Sequence, residues 1–350
     1  MLTSILWALG LSFVFSFLLV PVAKRLAFLL GAVDKPNARK VHQKIMPRLG
    51  GVSIFCGFWL ALFLTIEDRL ILLPFFAGAL VLFVVGVIDD MKELPAKVKL
   101  LGQIASASIV AIFGTRIDYV TNIFNYEGNI LPLAEWFAIP LTIIWIIAII
   151  NAINLIDGLD GLASGLSAIA ALTMGILALS NEDMLLAIIL FALLGASLGF
   201  LPYNFNPASI FMGDTGSMFL GYALGVSSLM AAAKSLTFIS VCIPILILGV
   251  PIFDTLFAII RRMLSGKPIF EADKAHLHHQ FLKRGFSHKR TVLTIYALSA
   301  GLSVSALILS ALTTQKGFFF IVIILTTILL GAGKLDILGK NSQVKEEKNE

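Results

Sequence analysis

Residues 141–161 read LTIIWIIAIINAINLIDGLDG, an unbroken apolar run that changes within one residue into a series of amides and carboxylates. The first half suits a lipid environment: together with the residues from about 131 it supplies the roughly 20 residues with which a helix crosses a hydrocarbon core of about 30 Å. The second half carries Asn151, Asn154, Asp157 and Asp160 at every third position, which on a helical or near-helical turn places them on one broad face. Gly158 and Gly161 permit close backbone approach and a positive φ. Polar groups at membrane depth are costly, so a chain that keeps them there uses them for a pathway or for chemistry. A buried, hydrogen-bonded helix junction is the plainer alternative.

Three further polar islands interrupt the chain: VGVIDDMKELPAKVKLLGQ (85–103), YNFNPASIFMGDTGS (203–217) and EADKAHLHH (271–279). Everything around them is apolar. With 58% hydrophobic and 13% charged residues in a chain of 350 and a mean hydropathy of +0.96, a soluble domain is excluded. The expected fold class is all-α, a polytopic helical membrane bundle. Apolar stretches of spanning length fall at about 2–21, 49–66, 70–88, 98–115, 131–150, 161–180, 184–202, 213–232, 237–258, 291–312 and 317–333, which makes eleven spans.

Lys and Arg accumulate in cytoplasmic loops, so their distribution orients the chain. Loops at about 22–48, 89–99 and 261–290 and the tail take nearly all of them, leaving only Arg69, Arg116, Lys234 and Lys316 of the 26 for the opposite side. The expectation is an N-terminus outside, a C-terminus in the cytoplasm and all four islands on the cytoplasmic face. The stretches 151–160 and 203–212 lack Lys and Arg, yet alternation puts them on that face too. Carboxylates without their own cations, beside basic loops, point to a site for a metal and a phosphorylated ligand; topology or attraction to anionic lipid accounts equally for the basic loops.

No cleavable leader is evident, because the first apolar stretch is long, lacks a basic start and runs into Lys24 and Arg25. Residues 1–335 read as one multi-span domain and 336–350 as a polar, disordered tail. The outer segment from Tyr119 to Leu133 has the composition of a short hairpin. Cys56 and Cys242 lie in separate spans and read as packing residues.

Each island has its own chemistry. Adjacent carboxylates such as Asp89 and Asp90 repel, and a divalent ion, a general-base role or a Lys partner relieves that repulsion; Lys92, Lys97 and Lys99 follow closely. Asp214 stands where a new apolar span begins, near free helix amides that suit phosphate oxygens, or as a simple N-cap. His276, His278 and His279 lie crowded in a basic loop without a Cys or carboxylate at zinc spacing, which favours hydrogen bonding to a phosphorylated or sugar ligand over metal ligation. Asp254, inside the ninth span, is either functional or the partner of a nearby cation.

The stretches DKPNARKVHQKIMPRLGG, the Asp89–Asp90 island, NAINLIDGLDGLASG, FNPASIFMGDTGS and GKPIFEADKAHLHHQFLKRG, in this order, resemble the polyprenyl-phosphate N-acetylhexosamine-1-phosphate transferases, glycosyl transferase family 4. The resemblance extends over nearly the whole chain. It implies a Mg²⁺-dependent enzyme, with Mn²⁺ as a substitute, that moves a sugar 1-phosphate from a UDP-sugar to a membrane polyprenyl phosphate and releases UMP. By resemblance Asn154 and Asp214 hold the metal. Asp89 positions or deprotonates the lipid phosphate, with Asp90 in support. Lys92 and Lys99 meet phosphate oxygens, as do His278 and His279. Asp157 and Asp160, counted among the catalytic carboxylates, match nucleoside and sugar contacts. Asn204, Phe211 and His276 complete the nucleotide and sugar pocket, Phe211 lying against uracil.

The HLHH spacing is similar to the branch using UDP-N-acetylglucosamine and undecaprenyl phosphate, for the first membrane step of a cell-envelope polysaccharide. The peptidoglycan branch, which transfers phospho-MurNAc-pentapeptide, has three consecutive His; here Leu277 interrupts them. The implied setting is the bacterial inner membrane, with membrane lipid as partner, no nucleic acid, a homodimer as one form of assembly and sensitivity to tunicamycin-type nucleosides. An ion-coupled secondary transporter also buries Asp and Asn, but near mid-bilayer and in repeated halves. An inactive envelope scaffold is a third reading.

Overall fold

In lipid an apolar run satisfies its backbone polar groups only by closing them on itself, and among the described residues thirteen α-helices do so. The computed structural model describes residues 2–34, 45–117, 119–121, 130–233, 238–266 and 276–334. The helices are α1 (Leu2–Leu30), α2 (Gly50–Thr65), α3 (Leu73–Lys92), α4 (Ala96–Phe113), α5 (Glu135–Ile156), α6 (Leu162–Ser180), α7 (Met184–Asn204), α8 (Gly213–Ala233), α9 (Phe238–Ile247), α10 (Gly249–Leu264), α11 (Leu277–Lys283), α12 (His288–Ser310) and α13 (Thr314–Lys334). Two short antiparallel pairs accompany them: β1 (Val33–Asp34) with β2 (Met46–Pro47), and β3 (Tyr119–Thr121) with β4 (Ile130–Pro132). The second pair is the hairpin expected in the outer segment. Residues 35–44, 267–275 and 335–350 lie outside the description, and with them Lys35, Arg39, Lys40, Lys44, Lys267, Lys274 and the expected disordered tail.

All eleven expected spans coincide with helices. Nine described helices are long and apolar enough to cross a membrane, and a bent pair makes a tenth candidate. The remaining one, α2, is apolar but has 16 residues. The chain is therefore a multi-pass membrane protein. One expectation needs correction: the ninth span is not a continuous helix, because α9 and α10 meet at 83°. Pro251 near the start of α10 lacks an N–H to continue the ladder, and Pro244 in α9 crowds the turn before it.

Helix α8 forms the centre, with 83% of its apolar window buried against 17% for peripheral α13. Helices α2, α3 and α5 come close to it through glycines, as small residues allow in membrane packing. A Cβ on Gly86 of α3 would lie 2.5 Å from the Thr215 Cα, and one on Gly221 of α8 2.6 Å from the Ile150 Cα of α5; on Gly51 of α2 it would collide with Gly216. Farther along, Phe55, Phe58, Trp59, Phe75, Phe219 and Tyr222 interleave α2, α3 and α8 with edge and stacked ring contacts. This tight core fixes the first turn of α8 relative to the ends of α3 and α5, where the polar islands lie.

Candidate active site

The first turn of α8 meets the last turn of α3. Asp90 is buried, and its carboxylate accepts the backbone N–H of Asp214 at 2.9 Å, that of Thr215 at 3.1 Å and the Thr215 hydroxyl at 2.7 Å. It thus satisfies amides that a helix start leaves without partners. The loop makes room through Gly213, which has φ +68 and where a Cβ would strike the Arg48 carbonyl and the Asp90 carboxylate. Arg48 closes the far side, 3.4 Å from Asp90 and 3.8 Å from Glu93. Phe211 is held through its backbone: its N–H donates to Pro47 and its carbonyl accepts from Gly50.

Asp89 turns the other way. Its Oδ1 accepts the N–H of Leu94 at 2.8 Å, while Lys99 Nζ bridges Asp89 at 3.5 Å and Asp214 at 2.8 Å. One oxygen from each of Asp89, Asp90 and Asp214 lies within 4.8 Å of the others, the one such metal-capable group among the described residues. Hard carboxylate oxygens suit Mg²⁺ or Mn²⁺. Because Asp90 already holds the helix start, the fitting donors are Asp89 and Asp214. Asn154 gives its amide N–H to Ser217 at 2.8 Å, one turn beyond Asp214 on α8, so its oxygen is the atom with metal-ligand chemistry.

The period-three polar face divides, because α5 ends at Ile156. Asn151 donates to Gln103 of α4, Asn154 faces α8, and Asp160 accepts from Asn206 Nδ2 at 2.9 Å and from the Ala208 N–H at 3.1 Å. Asp157 lies in the turn between. Burial, and then the charges of Asp214, Asp90 and Asp160, hold its carboxyl well above the usual carboxylate range, opposed by Arg48.

Asn204 is buried, accepts from the Gly161 N–H at 3.0 Å and Ser164 hydroxyl at 3.2 Å, and donates to the Ile210 carbonyl at 3.1 Å. This geometry gives Asn204 a role in tying the 157–161 turn to the 205–212 loop. Tyr296 of α12 donates to the Gly161 carbonyl from the other side. His276 is likewise buried, with Nδ1 2.8 Å from Asp254.

His278 lies against the 157–161 turn: a Cβ on Gly158 would be 2.6 Å from its Nε2. Burial and the neighbouring His279 push its imidazole down to about 4, against the pull of Asp254. The His279 ring is 4.2 Å away. Lys92 stands exposed at the end of α3, whereas Lys99 enters the carboxylate cluster. All four islands therefore converge, through Asp90–Asp214, Asn154–Ser217, Asp160–Asn206 and Gly158–His278. Arg48, Thr215, Ser217 and Tyr296 were not singled out from the sequence. The signal for the first three was their place inside quoted motifs; Tyr296, in an ordinary apolar helix, gave none.

The description Glycosyl transferase family 4 matches residues 72–232. A Bacillus subtilis protein named probable undecaprenyl-phosphate N-acetylglucosaminyl 1-phosphate transferase is 45% identical over 299 residues, covering 85% of this chain and 82% of the relative. A Mycobacterium tuberculosis decaprenyl-phosphate N-acetylglucosaminephosphotransferase is 38% identical over 302 residues, 78% of this chain and 74% of that one. In Thermotoga maritima an undecaprenyl-phosphate alpha-N-acetylglucosaminyl 1-phosphate transferase is 31% identical over 295 residues, 84% and 86% respectively. With likeness this extensive, and with the motifs that carry it gathered into one acidic site, the chain belongs to glycosyl transferase family 4 and is a multi-pass membrane transferase.

Proposed function

We propose that the protein transfers N-acetylglucosamine 1-phosphate from UDP-N-acetylglucosamine to undecaprenyl phosphate, giving undecaprenyl-diphospho-N-acetylglucosamine and UMP. The observation that carries this reading is the Asp89–Lys99–Asp214 cluster, where carboxylates and an ammonium stand together at helix ends. The names of the relatives support the substrates. Family membership sets aside the transporter reading.

In the transfer, an oxygen of the lipid phosphate bonds to the sugar-bearing phosphorus as the bond from that phosphorus to the bridging oxygen breaks, and that oxygen leaves with UMP. Such chemistry needs positioning and charge neutralisation more than covalent help. Asp214 and Asp89, with the Asn154 oxygen, would hold Mg²⁺, which when bound supplies Lewis-acid neutralisation of the pyrophosphate. Lys99 offers a second positive charge to phosphate oxygens. Asp89 helps to place the lipid phosphate from the same cluster; that phosphate is already largely ionised near neutral pH, so no base is needed. His278, kept neutral, offers hydrogen bonding without repelling a cation. Phe211 lies against the base, and Asp160 keeps the 205–212 loop in register.

The distribution of Lys and Arg supports an inner-membrane protein with this site facing the cytoplasm, where the UDP-sugar is available. Purified protein in detergent with Mg²⁺ and undecaprenyl phosphate tests the proposal through UMP release from several UDP-sugars. Acceptor-dependent release from UDP-N-acetylglucosamine, supported in part when Mn²⁺ replaces Mg²⁺ and abolished in Asp214→Ala, is the expected result. Release from UDP-MurNAc-pentapeptide instead would move the protein to the peptidoglycan branch, and silence with every donor would refute the activity.

A further inference from the structure

Asp254 takes no part in the chemistry above, yet it is a carboxylate only 3% exposed on the broken helix α10. Its Oδ2 is 2.8 Å from Nδ1 of His276, and its Oδ1 accepts the backbone N–H of Leu277 at 2.7 Å. Leu277 is the first residue of α11, and the side chain of its N-cap, His276, makes no capping bond. A residue from another helix therefore supplies the cap. An ionised carboxylate only accepts, so the facing Oδ2 keeps the His276 proton on Nδ1.

The consequence reaches the site through α11. The His278 ring lies parallel to His276, 6.0 Å away with an interplanar angle of 4°, and its Nε2 edge rests on Gly158 beside Asp157. His278 is itself 3% exposed, and among the described residues its Nδ1 has no hydrogen-bond partner. Its Nδ1 therefore does not set its position; the start of α11 does.

We propose that Asp254 is a positioning residue, which through Nδ1 of His276 and the Leu277 amide sets the start of α11 and so seats His278 on the Asp157–Gly161 turn. On this view His276 is the anchor of α11 and its Nδ1 is its working atom, in place of a direct substrate contact. The inference rests on the transferase reading of the site.

Three variants test it. Asp254→Asn keeps the volume and an oxygen for Leu277 but removes the charge facing Nδ1. His276→Asn places an N–H near Nδ1, whereas His276→Gln places one near Nε2. Expected are a fall in kcat of about tenfold or more for Asp254→Asn with its thermal midpoint near wild type, and about tenfold higher kcat/KM for His276→Asn than for His276→Gln. Asp254→Asn combined with His276→Gln should lose little more than the worse single variant, as linked residues do.

Nitrogen NMR of histidine-labelled protein at mildly alkaline pH gives a readout independent of turnover. Wild type should show His276 with its proton on Nδ1, and Asp254→Asn should move it to Nε2, because the Asn amide then faces Nδ1 with a donor. An Nε2 proton in wild type, additive losses, or His276→Gln outperforming His276→Asn would overturn the proposal. Failure of wild type to release UMP would refute the transferase reading instead, and the tautomer measurement would still decide the Asp254–His276 link.

Discussion

The Asp90 carboxylate accepts the backbone N–H of Asp214 at 2.9 Å, so one member of the adjacent acidic pair builds the helix that presents the site's other carboxylate. Asp89 and Asp90 point in different directions from consecutive positions of α3. One meets Lys99, and the other is shut beneath Gly213 and Thr215. Their likeness in sequence conceals a division between chemistry and architecture.

That division predicts different losses. Asp90→Ala strands two amides and a hydroxyl, and each buried polar group left unpaired costs about 1–3 kcal/mol. Its thermal midpoint should fall clearly. Asp89→Asn should keep a near-normal midpoint and lose about 100-fold or more in UMP release, as removal of a charge-stabilising group commonly does. Equal melting of the two variants would refute the assignment.

Gly213→Ala should be nearly as damaging as Asp90→Ala. The left-handed conformation alone costs an L-residue about 1–2 kcal/mol, and the new methyl group meets the Arg48 carbonyl and the Asp90 carboxylate. Differential scanning fluorimetry together with UMP release checks this. A wild-type melt would mean that the loop relaxes without consequence.

Divalent cation should stabilise the protein in the absence of substrate, by about 2.7 kcal/mol at a hundredfold excess over Kd. Asp214→Ala should abolish the rise in midpoint. Lys99→Ala should enlarge it, since the ammonium bridging Asp214 and Asp89 is a competitor for the same charge, while UMP release falls. Opposite signs in the two variants are the diagnostic outcome of Mg²⁺ titrations followed by melting.

His278 imposes a pH dependence. Its imidazole is held at about 4 when folded against 6.5 ordinarily, so the unfolded chain binds the proton first. The contribution to stability is full above about 6.5 and is lost as pH falls toward about 4. Thermal midpoints measured over that window should drop with acid, and His278→Gln should show a shallower slope.

Much of the fold was legible. Every expected span has a helix, since an apolar run of that length has no other way to close its backbone in lipid. Pro244 and Pro251 stand in the ninth span but do not by themselves signal its 83° break, because proline also occurs in continuous membrane helices. The site was legible as residue types. The period of Asn151, Asn154, Asp157 and Asp160 suggested a shared face, but α5 stops at Ile156 and sends the last two elsewhere.

Hydropathy and local motif are properties of neighbours along the chain, so residue order alone establishes the class of the protein, its membrane-spanning helices and the islands from which a charged site is built. Helix packing, by contrast, sets Asp90 beneath α8, Lys99 between Asp89 and Asp214, Asn204 between two loops and Asp254 against His276. A carboxylate or amide in sequence states what it can bond, and its partner, up to 125 residues away in the Asp90–Thr215 case, is chosen by how the helices pack.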